Sequence, residues 1–264
     1  MTPVDITRGD SPLLLGMPHT GTFLPPEIHA RLNPRGRQLT DTDWHIERLY
    51  SDLIPGATIL RATFHRYVID ANRPPSAENL YPGQNTTGLI PLTDFDGEAI
   101  WTTPPTDTDT AERLAAFHHP YHAAIEAELN RIRARHGVAI LYDCHSIRGD
   151  IPFLFHGRLP DLNVGTADGA SCDARVTEAV MDVVERAEDC SHVLNGRFKG
   201  GWTTRHYGRP AQGIHAIQME LAQSTHLESE SPPFAYDSEK AARLRPLLAE
   251  ILQTLADLAP TLRG

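Results

Sequence analysis

The sequence predicts an α/β sandwich. Strand-like and helix-like stretches alternate along 264 residues, with no internal repeat and no low-complexity linker between them. Several of the strand candidates are near-continuous apolar runs, the pattern of strands buried on both faces. A chain of this length suits one large domain or two small ones, and it buries a full core without staples.

In chain order, strands are expected over residues 13–16, 57–70 with a break inside, 138–142, 151–155 and 215–221. Residues 41–53 read as a helix with Trp44, Leu49 and Leu53 turned inward, and its aspartate-rich first turn suits the helix dipole. Between 110 and 135, Leu114, Phe117, Tyr121, Ile125, Leu129 and Ile132 recur at helical spacing as core packing. Pro120 must kink that helix or begin a second one. Residues 236–258 read as a closing amphipathic helix. The stretch 74–105 is rich in Pro, Gly, Asn and Thr, which makes it an irregular loop near a site or, failing that, an interdomain linker.

The formal net charge of −10 argues against nucleic acid or an anionic membrane surface as a partner, because both are bound through positive charge. A small-molecule substrate is expected instead. Cys144, Cys172 and Cys190 are odd in number and lack paired spacing, so neither a disulfide framework nor a cysteine zinc site is indicated. The expected setting is a reducing cytoplasm. Met1 to Asp5 shows no basic region followed by an apolar stretch, and no apolar run reaches spanning length. The expectation is therefore a soluble, unexported protein.

Three distant segments each end an apolar run with a metal-ligating or proton-transferring residue. They are Pro18-His19-Thr20-Gly21, Asp143-Cys144-His145-Ser146 and Gln218-Met219-Glu220-Leu221. Metal-assisted hydrolysis needs a few protein ligands, an open coordination position and a carboxylate to accept a proton from water. His19 and His145 are expected as two ligands and Glu220 as that base, which points to a zinc hydrolase. Both histidines follow predicted strands, and ligands of open α/β sheets bind beyond the carboxyl ends of strands. The third ligand should be a carboxylate or another histidine. Asp41-Thr42-Asp43-Trp44-His45 offers both, although on spacing alone its aspartates read as helix caps.

Two more segments carry binding chemistry. In Tyr67-Val68-Ile69-Asp70-Ala71-Asn72-Arg73-Pro74 an apolar strand runs into Asn-Arg, a pair able to hold a carboxylate, with a structural ion pair as the alternative. Residues 196–208 mix glycines, basic groups and hydroxyls. They read either as a mobile anion-binding loop or as a glycine-rich turn with solvated charges, and no phosphate-loop spacing is present.

Taken together, Pro-His-Thr-Gly at 18–21, Asp-Thr-Asp-Trp-His at 41–45, Val-Ile-Asp-Ala-Asn-Arg at 68–73, Asp-Cys-His-Ser at 143–146, Lys-Gly-Gly-Trp-Thr-Thr at 199–204 and Gln-Met-Glu-Leu at 218–221 resemble the N-formylglutamate amidohydrolase family. That family is related to zinc carboxypeptidases and to the succinylglutamate desuccinylase and aspartoacylase group. The resemblance implies one carboxypeptidase-like domain over 1–264, a three-layer sandwich with a mixed, mostly parallel sheet and one zinc at the strand ends. It implies His19 and His145 as zinc ligands. The carboxypeptidase group carries a glutamate three residues after the first histidine, where this chain has Thr22. Asp43 is the carboxylate ligand expected from the resemblance, with Asp41 and His45 as the alternatives.

Further along, Glu220 is implied as general base and proton donor, and Asn72 with Arg73 as the holder of the substrate α-carboxylate. The implied reaction is hydrolysis of N-formyl-L-glutamate to formate and L-glutamate, the final step of one histidine degradation route. A doubly anionic substrate and an acidic protein together require a locally cationic pocket, for which Arg73, Arg148, Lys199 and Arg205 are the expected cations. Arg148 or Arg205 is expected to stabilise the oxyanion, and Thr204 belongs to the same substrate-binding segment. The rivals are a related zinc amidase or carboxypeptidase acting on another N-acyl amino acid or peptide, and a non-catalytic binder of metal or amino acid.

Overall fold

The computed structural model describes residues 2–262. In chain order its strands and α-helices are β1 (Val4–Thr7), β2 (Leu13–Met17), α1 (Pro26–Arg31), α2 (Ile46–Leu49), β3 (Thr58–Ala62), α3 (Asp107–Arg113), α4 (His119–His136), β4 (Ala139–Ile147), β5 (Leu162–Gly165), α5 (Ala174–Glu185), β6 (His192–Leu194), α6 (Trp202–Tyr207), β7 (Ile214–Ala222) and α7 (Ser238–Leu258). The strands form one mixed sheet in the order β1-β3-β2-β4-β7-β5-β6. Four of its pairings are parallel, and the two antiparallel ones join β1 to β3 and β5 to β7. The central strands β2, β4 and β7 are buried along their whole length, as their apolar runs require.

Because side chains alternate across a strand, each central strand feeds two cores. Leu13, Leu15, Ile140, Tyr142, Cys144, Ile217 and Met219 join the core under α5 and α7. Leu14, Ala139, Leu141, Ile214 and Ala216 join the opposite core, which α4 covers with Tyr121, Ile125, Leu129 and Ile132. The result is the expected three-layer α/β sandwich. Capping is local: Asp173 opens α5 by accepting the N–H of Arg175, and Asp237 opens α7 by accepting those of Glu239 and Lys240.

Several expectations are corrected. Residues 63–70 do not continue β3, because the chain turns at 66–68 and buries Tyr67, Val68 and Ile69 as an irregular segment. Residues 151–155 form a turn over a small apolar cluster, with the N–H groups of Leu154 and Phe155 both donating to Ile151 O. The helix expected over 41–53 shrinks to α2, because His45 adopts a left-handed φ of 61° and detaches the aspartates from it. Pro120 sits at the start of α4 after a π-helical turn over 114–118, which absorbs its missing N–H. β1, β5 and β6 escape the apolar-run signal because they are short and carry polar residues or glycine. The stretch 74–105 contains no helix or named strand, and several of its residues line a cavity at the strand ends.

Candidate active site

β4 and β7 run parallel in a register that sets Asp143 opposite Gln218 and His145 opposite Glu220. All four alternate with Cys144 and Met219, so they lie on the sheet face opposite the α5–α7 core. β4 is longer than the sequence suggests, and His145 therefore lies within the strand rather than beyond it. His19 follows β2 by two residues. The adjoining turn is tied to it by Asp43 N donating to His19 O at 3.1 Å, which swings the Asp43 carboxylate toward both histidines. His19, Asp43 and His145 are buried and offer one ligand atom each within 4.8 Å of one another.

The two imidazoles present the same edge to Asp43. His145 Nδ1 lies 3.0 Å and His19 Nδ1 3.7 Å from Asp43 Oδ2. The opposite edges face buried carboxylates, with His19 Nε2 2.7 Å from Asp70 Oδ1 and His145 Nε2 3.2 Å from Asp143 Oδ1. The Asn72 amide nitrogen lies 3.2 Å from that same nitrogen of His145. At His19 the acceptor on Nε2 leaves the Nδ1 lone pair free to ligate, and His19, His145 and Asp43 together suit a metal held by two nitrogens and a carboxylate oxygen. Burial opposes ionisation of Asp43, yet the charges and hydrogen bonds of His19 and His145 hold its carboxyl below the usual range. Of the alternatives, Asp41 points elsewhere and accepts the Phe95 N–H at 3.1 Å, while His45 bonds to Phe234 O at 2.9 Å.

Glu220 stands beside this group. Burial pushes its carboxyl up to about 8, with the charge of His145 working against that rise, and Gln218 Nε2 donates to it at 3.3 Å. A cavity opens over these groups, and its wall carries three guanidiniums, those of Arg66, Arg73 and Arg197. Arg66 is buried, donates through Nη2 to His19 Nδ1 and lies 3.8 Å from Asp43 Oδ1. A metal taking the His19 lone pair would displace that contact. Asn72 and Arg73 also line the cavity.

The remaining expected cations lie elsewhere. Arg148 donates to Asp96 at 2.8 Å, outside the cavity lining. Lys199 is paired with Asp168 at 3.0 Å near the surface. Arg205 bonds to Gly200 O at 2.9 Å and lies over the Tyr81 ring. Arg148 and Lys199 are thus held by carboxylate partners that the sequence does not reveal. Thr204 is buried and donates to Asp143 Oδ2 at 3.0 Å, so it bears on His145 through Asp143. The loop around 200 is packed: a Cβ on Gly201 would fall 2.2 Å from the Asn72 amide, and Thr203 N donates to Asn72 Oδ1 at 2.8 Å. At Gly201 and Thr203 it holds Asn72 through its backbone.

Arg66, Asp70, Asp143, Gln218 and Arg197 were not singled out from the sequence. A period-2 reading outward from His145 and Glu220 reaches Asp143 and Gln218. Asp70 and Arg197 lie inside segments the sequence marks, 68–73 and 196–208, but no local signal distinguishes them there, and none reaches Arg66.

Residues 11–227 match the family model described as N-formylglutamate amidohydrolase. The chain belongs to the N-formylglutamate amidohydrolase family. It is 49% identical over 251 residues to the N-formylglutamate deformylase of Pseudomonas aeruginosa, covering 94% of each chain. Against the N-formylglutamate deformylase of Pseudomonas putida it is 47% identical over 253 residues, covering 94% of this chain and 93% of that one. Its fold is similar to the crystal structure of an N-formylglutamate amidohydrolase from Ralstonia eutropha, with a TM-score of 0.82 at 24% identity over 99% of both chains. A gene product of Agrobacterium tumefaciens shares the fold with a TM-score of 0.72 at 17% identity, over 98% of this chain and 96% of that one. The segment matched to the N-formylglutamate amidohydrolase family spans His19 through Glu220, and so contains the whole group described above. Among the described residues, no helix is long and apolar enough to cross a membrane.

Proposed function

We propose that this chain is a zinc-dependent N-formyl-L-glutamate deformylase, releasing formate and L-glutamate as the final step of a histidine degradation route in the cytoplasm. The observation that carries the reading is the His19–Asp43–His145 group beside buried Glu220, in a cavity with three guanidiniums on its wall. The named activity of the two Pseudomonas relatives supports the substrate. His19, His145 and Asp43 would hold the metal. When bound, zinc supplies Lewis-acid polarisation of the formyl carbonyl and of water.

The protein's own groups do the rest. Glu220 accepts a proton from the attacking water as its oxygen bonds to the formyl carbon. It returns that proton to the amide nitrogen as the C–N bond breaks, so the leaving group departs as a neutral amine. As the carboxylate Glu220 can take the proton from water, and as the acid it can give that proton to the amide nitrogen. Arg66 is the buried cation nearest the group, and its guanidinium stabilises the oxyanion that develops on the formyl oxygen. Asn72 and Arg73 hold the α-carboxylate. Asp70 and Asp143 keep the two imidazoles in the ligating orientation.

The deciding experiment is formate release from N-formyl-L-glutamate by purified protein, run beside the N-acetyl and N-succinyl analogues. Rapid release from the formyl compound, lost on chelation and restored by zinc, is the expected result. No release from metal-replete protein would overturn the proposal.

A further inference from the structure

Of the three guanidiniums on the cavity wall, two have carboxylates of the protein nearby. Arg66 lies 3.8 Å from Asp43 and Arg73 lies 3.9 Å from Asp70. Arg197 lines the same cavity, and among the described residues no carboxylate comes within ion-pair distance of it. Burial pulls its pKa down, the response of a cation that has lost water without gaining an anion. In a chain carrying 34 acidic residues, an unpaired half-buried arginine facing a cavity is a feature that calls for a ligand.

Its donor inventory points the same way. A guanidinium has five N–H groups. Arg73 directs four of them at the protein: Nε to Thr87 O, Nη1 to Asn72 O, and Nη2 to the hydroxyls of Thr86 and Thr87. Arg197 uses two, Nε to Leu154 O at 3.0 Å and Nη2 to Asn85 O at 2.8 Å. That leaves both hydrogens of Nη1 and one of Nη2, the end-on fork that meets a carboxylate with two parallel bonds. The fork is held in place. The two carbonyls anchor it, and the rings of Tyr81 and Phe198 flank it at 5.7 and 5.2 Å. Tyr81 is itself tied to Gly200 O at 2.7 Å. Leu154 and Phe198, on the same wall, give apolar surface against which a short methylene chain can lie.

We infer that Arg197 is the specificity-determining residue that reads the distal carboxylate of a dicarboxylic N-formyl amino acid, while Arg73 and Asn72 hold the α-carboxylate. The inference rests on the deformylase reading and assigns a role to a residue that the activity alone leaves open. Of the other cations expected in the pocket, Lys199 and Arg148 are engaged with Asp168 and Asp96, and Arg205 is bonded to Gly200 O.

The test compares N-formyl-L-glutamate with its neutral isostere N-formyl-L-glutamine in wild type, Arg197→Gln and Arg197→Lys. Wild type should prefer the acid. Arg197→Gln should lower kcat/KM for the acid by on the order of 10²-fold, leave the amide little changed and so erase the preference, with zinc content intact. Arg197→Lys should restore part of the preference, since it returns the charge without the fork. An equal fall for both substrates in Arg197→Gln would mean that Arg197 only holds the loops at Asn85 and Leu154, and would overturn the inference. An unchanged preference would overturn it too. A wild type that releases formate from neither compound would overturn the deformylase reading itself, whereas an active wild type with an unchanged variant overturns Arg197 alone.

Discussion

Asp70 Oδ1 lies 2.7 Å from His19 Nε2 and also accepts the backbone N–H of Asn72 at 2.8 Å. One buried oxygen thus orients a metal-ligating imidazole and sets the turn that presents Asn72 and Arg73. Burial would push the Asp70 carboxyl up, but the charges of His19, Arg73 and Arg66 outweigh it and hold the group well below the usual carboxylate range. An ionised acceptor fixes the proton on Nε2 and makes Nδ1 the better ligand.

Asp70→Asn should therefore weaken metal binding by about 10–100-fold, the usual loss when a histidine ligand's carboxylate partner is removed. Competition against a chromogenic chelator measures it. Wild-type affinity in the variant would show that Asp70 serves only the turn.

Glu220→Gln keeps the shape of the side chain and the hydrogen-bonding partner Gln218, but it cannot accept a proton. Turnover should fall by about 10²–10⁴-fold with zinc content unchanged, as measured by formate release and metal analysis. A variant keeping more than a few per cent of wild-type turnover would remove Glu220 from the base role.

Arg66→Met retains the aliphatic stem and deletes the cation. The expected loss in kcat is about 10²–10³-fold, that of one oxyanion donor. Metal affinity should hold or rise, because the donor competing for the His19 Nδ1 lone pair is gone. Loss of metal together with activity would make Arg66 a structural partner of Asp43 instead.

Acid lability should trace in part to His226. It is fully buried, with Nε2 3.0 Å from Trp44 O, and burial lowers its pKa from 6.5 to about 4. The unfolded chain takes up this proton more readily than the folded one. The neutral imidazole's contribution is thus complete above about 6.5 and is lost as pH falls from there to about 4, up to about 3 kcal/mol. Urea midpoints at several pH values should decline less steeply in this window for His226→Gln than for wild type. Parallel declines would assign the lability to other groups.

The functional elements were unevenly legible in the sequence. β2, β4, β7 and α7 are recognisable because their signals are local, either an unbroken apolar run or a repeated helical spacing. The histidines and Glu220 stand out because each terminates such a run. Residues 63–70 mislead for the same reason: Tyr67, Val68 and Ile69 are as apolar as a strand, and only their packing into the α4-side core turns them back.

The sequence by itself determined the layered sheet, the histidines and glutamate near its strand ends, and the Asn72-Arg73 pair, since all of these follow from short-range pattern. Tertiary structure alone decided which charges face the cavity. Arg148 and Lys199 are captured by Asp96 and Asp168, partners 52 and 31 residues away. Arg66 and Arg197 face inward because folding brings His19, Leu154 and Asn85 to their donors. An arginine's direction is set by whichever acceptor desolvation leaves within reach, and that acceptor is chosen by the fold rather than by its neighbours in sequence.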